Sequence, residues 1–128
     1  MPLRLVLTLA LLPALLITPA LAKSHGQILS SGGAYSTAAK PGADIPAICK
    51  NILAKQNSSK QAMADAAQLY FHGTLMGQKC VAVDYVKAIT LMKASGHIGE
   101  YNSLVHALRE RAASGNALAV AAVARLKL

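Results

Sequence analysis

The chain has 128 residues, with 13 lysines and arginines against 5 aspartates and glutamates, a formal charge of +8, and no tryptophan. That length supports one small domain, and so strong a positive balance points to nucleic acid, an anionic membrane face, or an acidic protein or polymer as partner. Five scattered carboxylates exclude the paired acids of a glycosidase, and the basic residues (Lys50, Lys55, Lys60, Lys79, Lys87, Lys93, Arg109, Arg111, Arg125, Lys127) form no dense run of the kind that grips nucleic acid.

The first segment reads as an export signal. Arg4 precedes an almost wholly apolar run from Leu5 to Ile17, Thr18-Pro19 breaks it, and Ala20-Leu21-Ala22 supplies the A-x-A triplet read by signal peptidase. An uncleaved anchor fits less well, because Pro13 and Pro19 interrupt a run that falls short of the roughly 20 residues of a span. No Leu-x-x-Cys lipidation box follows. Residues 1–22 are therefore expected to be a signal peptide cleaved after Ala22; its removal takes away Arg4 and lowers the charge from +8 to +7. An export signal argues against nucleic acid. Residues 23–43, rich in Gly, Ser, Ala and Thr and broken at Lys40-Pro41-Gly42, read as a flexible leader.

From residue 44 to 128 the helical period takes over, as an expected domain of about five helices. Asp44 can cap a first helix with Ile45, Ile48, Cys49, Ile52 and Leu53 on one face, and Asn57-Ser58-Ser59 breaks it. A second, near Lys60 to His72, turns Ala62, Ala66, Leu69 and Tyr70 inward and stops at Gly73; a loop from Thr74 to Val83 follows. Asp84 caps a third with Tyr85, Ala88, Ile89 and Met92 inward, ended by Gly96. A fourth, from about Ile98 to Ala113, buries Tyr101, Leu104, Val105, Leu108 and Ala112 and ends at Gly115; a fifth presents Leu118, Ala122, Val123 and Leu126 inward. No stretch alternates with period two for long enough to be a strand. Glycine leaves right-handed geometry without a Cβ penalty, and such short connections favour antiparallel neighbours. The expected fold is all-α, a stack of helical hairpins.

Cys49 and Cys80 are the only cysteines. In an oxidising compartment an even count favours a disulfide, and the topology brings the loop carrying Cys80 back to the end of the first helix that carries Cys49. Two buried thiols are the rival reading; two cysteines alone make a poor zinc site.

Ala62, Tyr70 and Gly73, then Val81, Asp84, Tyr85, Lys87 and Ala88 in unbroken register, resemble the Sel1-like repeats, short relatives of the tetratricopeptide repeats. Gly96 closes that unit, Ala112-Ala113 with Gly115 echoes its hairpin ending, and Gly115 to Ala119 is similar to the start of a further unit. The likeness departs where Ala66-Ala67 replaces Leu-Gly, in a longer Gly73–Val81 loop, in a shorter stretch from Ala88 to Gly96, and where Glu100 replaces alanine. The resemblance implies a short right-handed α-solenoid whose work is protein–protein contact as an adaptor or regulator in a bacterial envelope.

Catalytic patterns are missing. His106 and Glu110, or His97 and Glu100, share helix faces at ligand spacing but read as surface pairs; His72 and His25 stand alone. Ser103 and His106 lie one turn apart without an acidic orienter. Gly73 to Lys79 lacks the Gly-Lys-Ser/Thr core of a phosphate loop, and Asn57-Ser58-Ser59 is a formal glycosylation sequon. The expectation is a periplasmic or secreted module that is not an enzyme, takes no cofactor or metal, meets the membrane only through its transient signal, and binds another protein. A basic envelope-surface protein held to anionic lipid or polymer by charge is the alternative.

Overall fold

Four of the five helices seen in residues 38–128, the part of the chain that the computed structural model describes, begin where a side-chain oxygen takes up a free N–H of the first turn. Helix α1 (Ile45–Ala54) is capped by Asp44, whose Oδ1 accepts from the Ala47 N–H at 3.2 Å, and Pro46 sits in its first turn where no N–H is missed. Ser59 Oγ accepts from the Ala62 N–H at 3.0 Å to open α2 (Lys60–His72). Asp84 opens α3 (Tyr85–Ser95) through a 3.0 Å bond from the Lys87 N–H, and Asn116 opens α5 (Ala117–Leu126) through one of 3.0 Å from the Ala119 N–H. Only α4 (Ile98–Ala113) starts without such a bond, at His97. The all-α expectation and the helix boundaries agree with this structure.

The loop after α2 differs from expectation. It folds into a minimal antiparallel hairpin, β1 (Thr74–Leu75) and β2 (Gln78–Lys79), with Thr74 opposite Lys79 and Leu75 opposite Gln78. Its two turn residues, Met76 and Gly77, have φ of 50° and 80°, the double positive φ of the tight turn that matches strand twist. Strands of two residues carry no alternation to read, and the signal residue asparagine is replaced by methionine.

Consecutive helices reverse direction. The Asp84 N–H at the start of α3 donates to the Tyr70 carbonyl near the end of α2 at 2.9 Å, and Arg111 in the last turn of α4 reaches both Phe71 and Tyr85. The end of α2, the start of α3 and the end of α4 thus share one end of the molecule. Packing is most extensive between α2 and α3, then between α4 and α5, with α3 also touching both of the latter.

The core follows from that arrangement. Ala64 to Phe71 of α2 are all buried, and the alanines at the α2–α3 contact (Ala66, Ala67, Ala88) have no exposed surface, so the two backbones approach closely. Leu69, Phe71, Met92 and Leu108 are fully enclosed, each stabilising by roughly 1.5–3 kcal/mol relative to an exposed side chain. Tyr85, Ile89, Leu104 and Val105 extend the buried set, and Ile45, Cys49 and Ile52 bring α1 to it; Ile48, Leu53, Tyr101 and Ala112 are only partly covered.

One inward assignment is corrected. Leu118 is 61% exposed, and Ala119 (0%) and Ala122 face the core instead. In the sequence Ala-Leu-Ala-Val-Ala-Ala-Val-Ala, hydrophobicity runs nearly all round the helix; close approach to α3 and α4 selects the alanines, which turns Leu118 outward. The expected signal peptide, its cleavage after Ala22 and most of the leader lie outside the described residues. Of the leader's last six residues, Ala38 is buried and Ala43 packs partly against the core, with a turn closed by the Ala43 N–H on the Lys40 carbonyl at 3.2 Å.

Candidate interaction surfaces

Of the residues that carry the repeat-like pattern, Tyr70, Gly73, Asp84 and Tyr85 lie at the α2–α3 turn. Gly73 ends α2 in the left-handed region, at φ 73°, its N–H donating to the Leu69 carbonyl at 2.7 Å. Its own carbonyl accepts from the N–H groups of Cys80 and Val81, at 2.9 and 3.2 Å. A Cβ on Gly73 would stand 2.9 Å from Val83 Cγ2 and 3.0 Å from the Val81 oxygen, so this position requires glycine by space as well as by φ. Tyr70, Tyr85 and Ala88 are buried beside it, while Ala62 is half-buried one helix end away. Gly96 and Gly115 also follow helices at positive φ, and Ala119 is buried.

Cys49 of α1 and Cys80, just past the hairpin, are joined as a disulfide, Cα to Cα 5.6 Å, closing 31 residues of separation. Of the helix neighbours, α1 packs least on the next helix, so this bond carries much of the work of holding it.

Arg111 forms the most connected polar centre. Its guanidinium lies 4.5 Å from the centre of the Phe71 ring and 5.6 Å from that of Tyr85; Nη1 donates to Tyr85 Oη at 3.0 Å and, at 3.5 Å, to the Phe71 carbonyl. Phe71 meets the Tyr85 and His72 rings edge to face, with centroids 5.1 and 5.2 Å apart. One side chain therefore ties α4 to α2 and α3, through contacts that a cation and aromatic faces make favourable. His72 is exposed at its edge, yet surrounding protein desolvates its imidazole and the nearby Arg111 charge opposes protonation; both hold its pKa below 6.5. Sequence reading missed this centre because Arg111 is 40 residues from Phe71 and 26 from Tyr85.

A second missed feature is Gln68, 1% exposed, whose side-chain oxygen and nitrogen both find no hydrogen-bond partner among the described residues. Nearby on α2, the buried Asp65 accepts from Gln61 Nε2 at 3.0 Å.

The exposed side of α5 is mixed: Leu118 (61%) and Val120 (49%) lie on its two flanks, exposed Ala117, Ala121 and Ala124 stand between them, and exposed Arg125 shares the stripe of Leu118. Ile98, at the start of α4, is exposed as well.

The other histidine candidates have local partners. His106 Nε2 lies 3.2 Å from Glu110 on an open surface, His97 Nδ1 lies 3.0 Å from Ser95 Oγ, and Ser103 Oγ donates to the Gly99 carbonyl at 3.0 Å rather than facing His106. Among the described residues no three of His, Cys, Asp and Glu gather to hold a metal, and no helix is long and apolar enough to cross a membrane. Scans against protein-family models, curated proteins and solved structures return no match to this chain.

Proposed function

We propose that this chain is an exported helical-repeat module of the Sel1-like kind that binds another protein in an oxidising compartment such as a bacterial periplasm. The observation that carries the proposal is the outward face of α5. Exposed apolar side chains beyond scattered single ones mark interaction surface, and α5 exposes Leu118 and Val120 on either side of small alanines that would let an incoming helix approach closely. The partner it suits is one that offers an apolar helix face. The Cys49–Cys80 disulfide is compatible with the oxidising location, and the signal-like segment before Ala22 supports export.

The test compares native-envelope complexes of the wild-type chain with those of the double variant Leu118→Asp, Val120→Asp, after circular dichroism has shown both to be equally helical. A complex that survives 0.5 M salt with the wild type and disappears with the variant supports this function. A complex indifferent to the substitutions, but dissolved by salt, favours the charge-driven attachment to anionic lipid or polymer.

A further inference from the structure

We infer that Arg111, seated on the Phe71 ring and anchored by Tyr85 Oη, is a binding site for a carboxylate group of an acidic ligand. The inference begins with a count of anions. The chain contains 5 acidic side chains, and all five lie in the described region. Asp44 and Asp84 cap α1 and α3, Asp65 accepts from Gln61, and Glu110 faces His106. Glu100 sits in the first turn of α4, whereas Arg111 sits in its last. The single ion pair among the described residues is His106–Glu110, so the Arg111 guanidinium has no carboxylate within 4.0 Å.

A half-buried guanidinium without an anion is an unusual thing to build. Its full charge persists at any pH at which the protein folds, and the neutral groups around it do not cancel that charge. Among the described residues, only Nη1 of its nitrogens makes hydrogen bonds, to Tyr85 Oη at 3.0 Å and more loosely to the Phe71 carbonyl at 3.5 Å. Nη2 and Nε are left for an outside acceptor. Meanwhile the ring contact and the Tyr85 bond fix the plane of the fork, so little side-chain entropy remains to be lost when an anion arrives.

The geometry also selects among anions. Two free donors on one planar fork match the two oxygens of a carboxylate, and one positive charge matches its single negative charge. A phosphate dianion would want a second cation. His72, whose pKa is lowered by desolvation and then by Arg111 itself, is disfavoured as that cation. This site lies at the α2–α3–α4 end, on different residues from the α5 face, and stands or falls separately from it.

The experiment is an NMR titration of the folded chain at constant ionic strength, read at the Arg111 Nε–H resonance and, in variants that lack it, at the backbone amides of Phe71 and Tyr85. Acetate is the free-carboxylate probe, a short glutamate-containing peptide is the protein-borne one, and the same peptide with glutamine is its control. Chloride and phosphate are the competing anions. Saturable shifts with acetate or the glutamate peptide, absent with chloride, support the site; the tighter of the two probes identifies its natural source. Arg111→Gln and Arg111→Lys should each weaken binding about tenfold or more, the second because it keeps the charge and loses the fork. Tyr85→Phe keeps the buried ring and removes only the anchoring hydroxyl; it should weaken binding several-fold, which guards against a misleading collapse of the Arg111 variants. Equal response to chloride, tighter binding of phosphate than of either carboxylate, or unchanged affinity in Arg111→Gln overturns the inference.

Discussion

The α2–α3 and α4–α5 hairpins draw on the same small residue and use it in opposite ways. In the first, Ala66, Ala67 and Ala88 have no exposed surface and bring two helices together around a turn so tight that Gly73 has no room for a methyl group. In the second, Ala119 and Ala122 do the packing while Ala117, Ala121 and Ala124 stand in solvent with Leu118 and Val120, and Gly115 turns in open space. Alanine content therefore says that helices can pack closely. Whether they do depends on having a neighbour on that side, and among the described residues α5 has none on its outer side.

The largest way to break the closed half is to release α1 from it. Replacing Cys49 and Cys80 with serine, or reducing the bond, should cost about 3–4 kcal/mol on the loop-entropy argument, read as a lower denaturation midpoint in urea. Next come the turns. Gly73→Ala should destabilise by about 2–4 kcal/mol, since it adds a clash with Val83 and the Val81 carbonyl to a left-handed φ. Gly115→Ala meets the same φ penalty with nothing nearby and should cost only about 1 kcal/mol. Equal effects at the two glycines would erase the contrast between the halves.

Two changes sharpen it further. Gln68→Leu should leave stability unchanged or raise it by about 1 kcal/mol, because it replaces an amide whose buried oxygen and nitrogen find no partner among the described residues. Leu118→Asp should shift stability by less than about 0.5 kcal/mol in the isolated protein while abolishing complex formation, as expected of a side chain that is mostly exposed.

The smallest effect concerns His72. Burial first, and Arg111 second, hold its folded pKa below 6.5, so protonation opposes folding. The sign is that of a depressed base: the histidine costs no stability above pH 6.5, and stability falls as pH drops through and below that value. Arg111→Gln should raise the His72 pKa in an NMR titration yet leave it below 6.5, since burial remains.

Much of the fold was legible because it is written locally. Asp44, Ser59 and Asp84 each bond to an N–H three residues on, and glycine stops such as Gly73 act within one turn, so adjacent residues suffice to place helix ends. The cysteine pairing was readable from topology, with free thiols still open. What escaped was either too short or too distant. The β1–β2 hairpin has two-residue strands and a Met-Gly turn, and the phase of α5 could not be set by hydrophobicity in a helix that is apolar almost all round. The Arg111 centre joins three helices, and nothing in the residues around Arg111 announces Phe71 or Tyr85 as neighbours.

Backbone amide hydrogen exchange of the isolated chain tests most directly whether one half is closed and the other left open for a partner. The slowest amides should fall in α2 and α3, around Leu69, Phe71 and Met92, and those of α5 should exchange at least about tenfold faster, at the low-stability end of the molecule. Amides of α5 protected as strongly as those of α2 would contradict this, for the stack would then be complete by itself and its last helix would have no need of another protein.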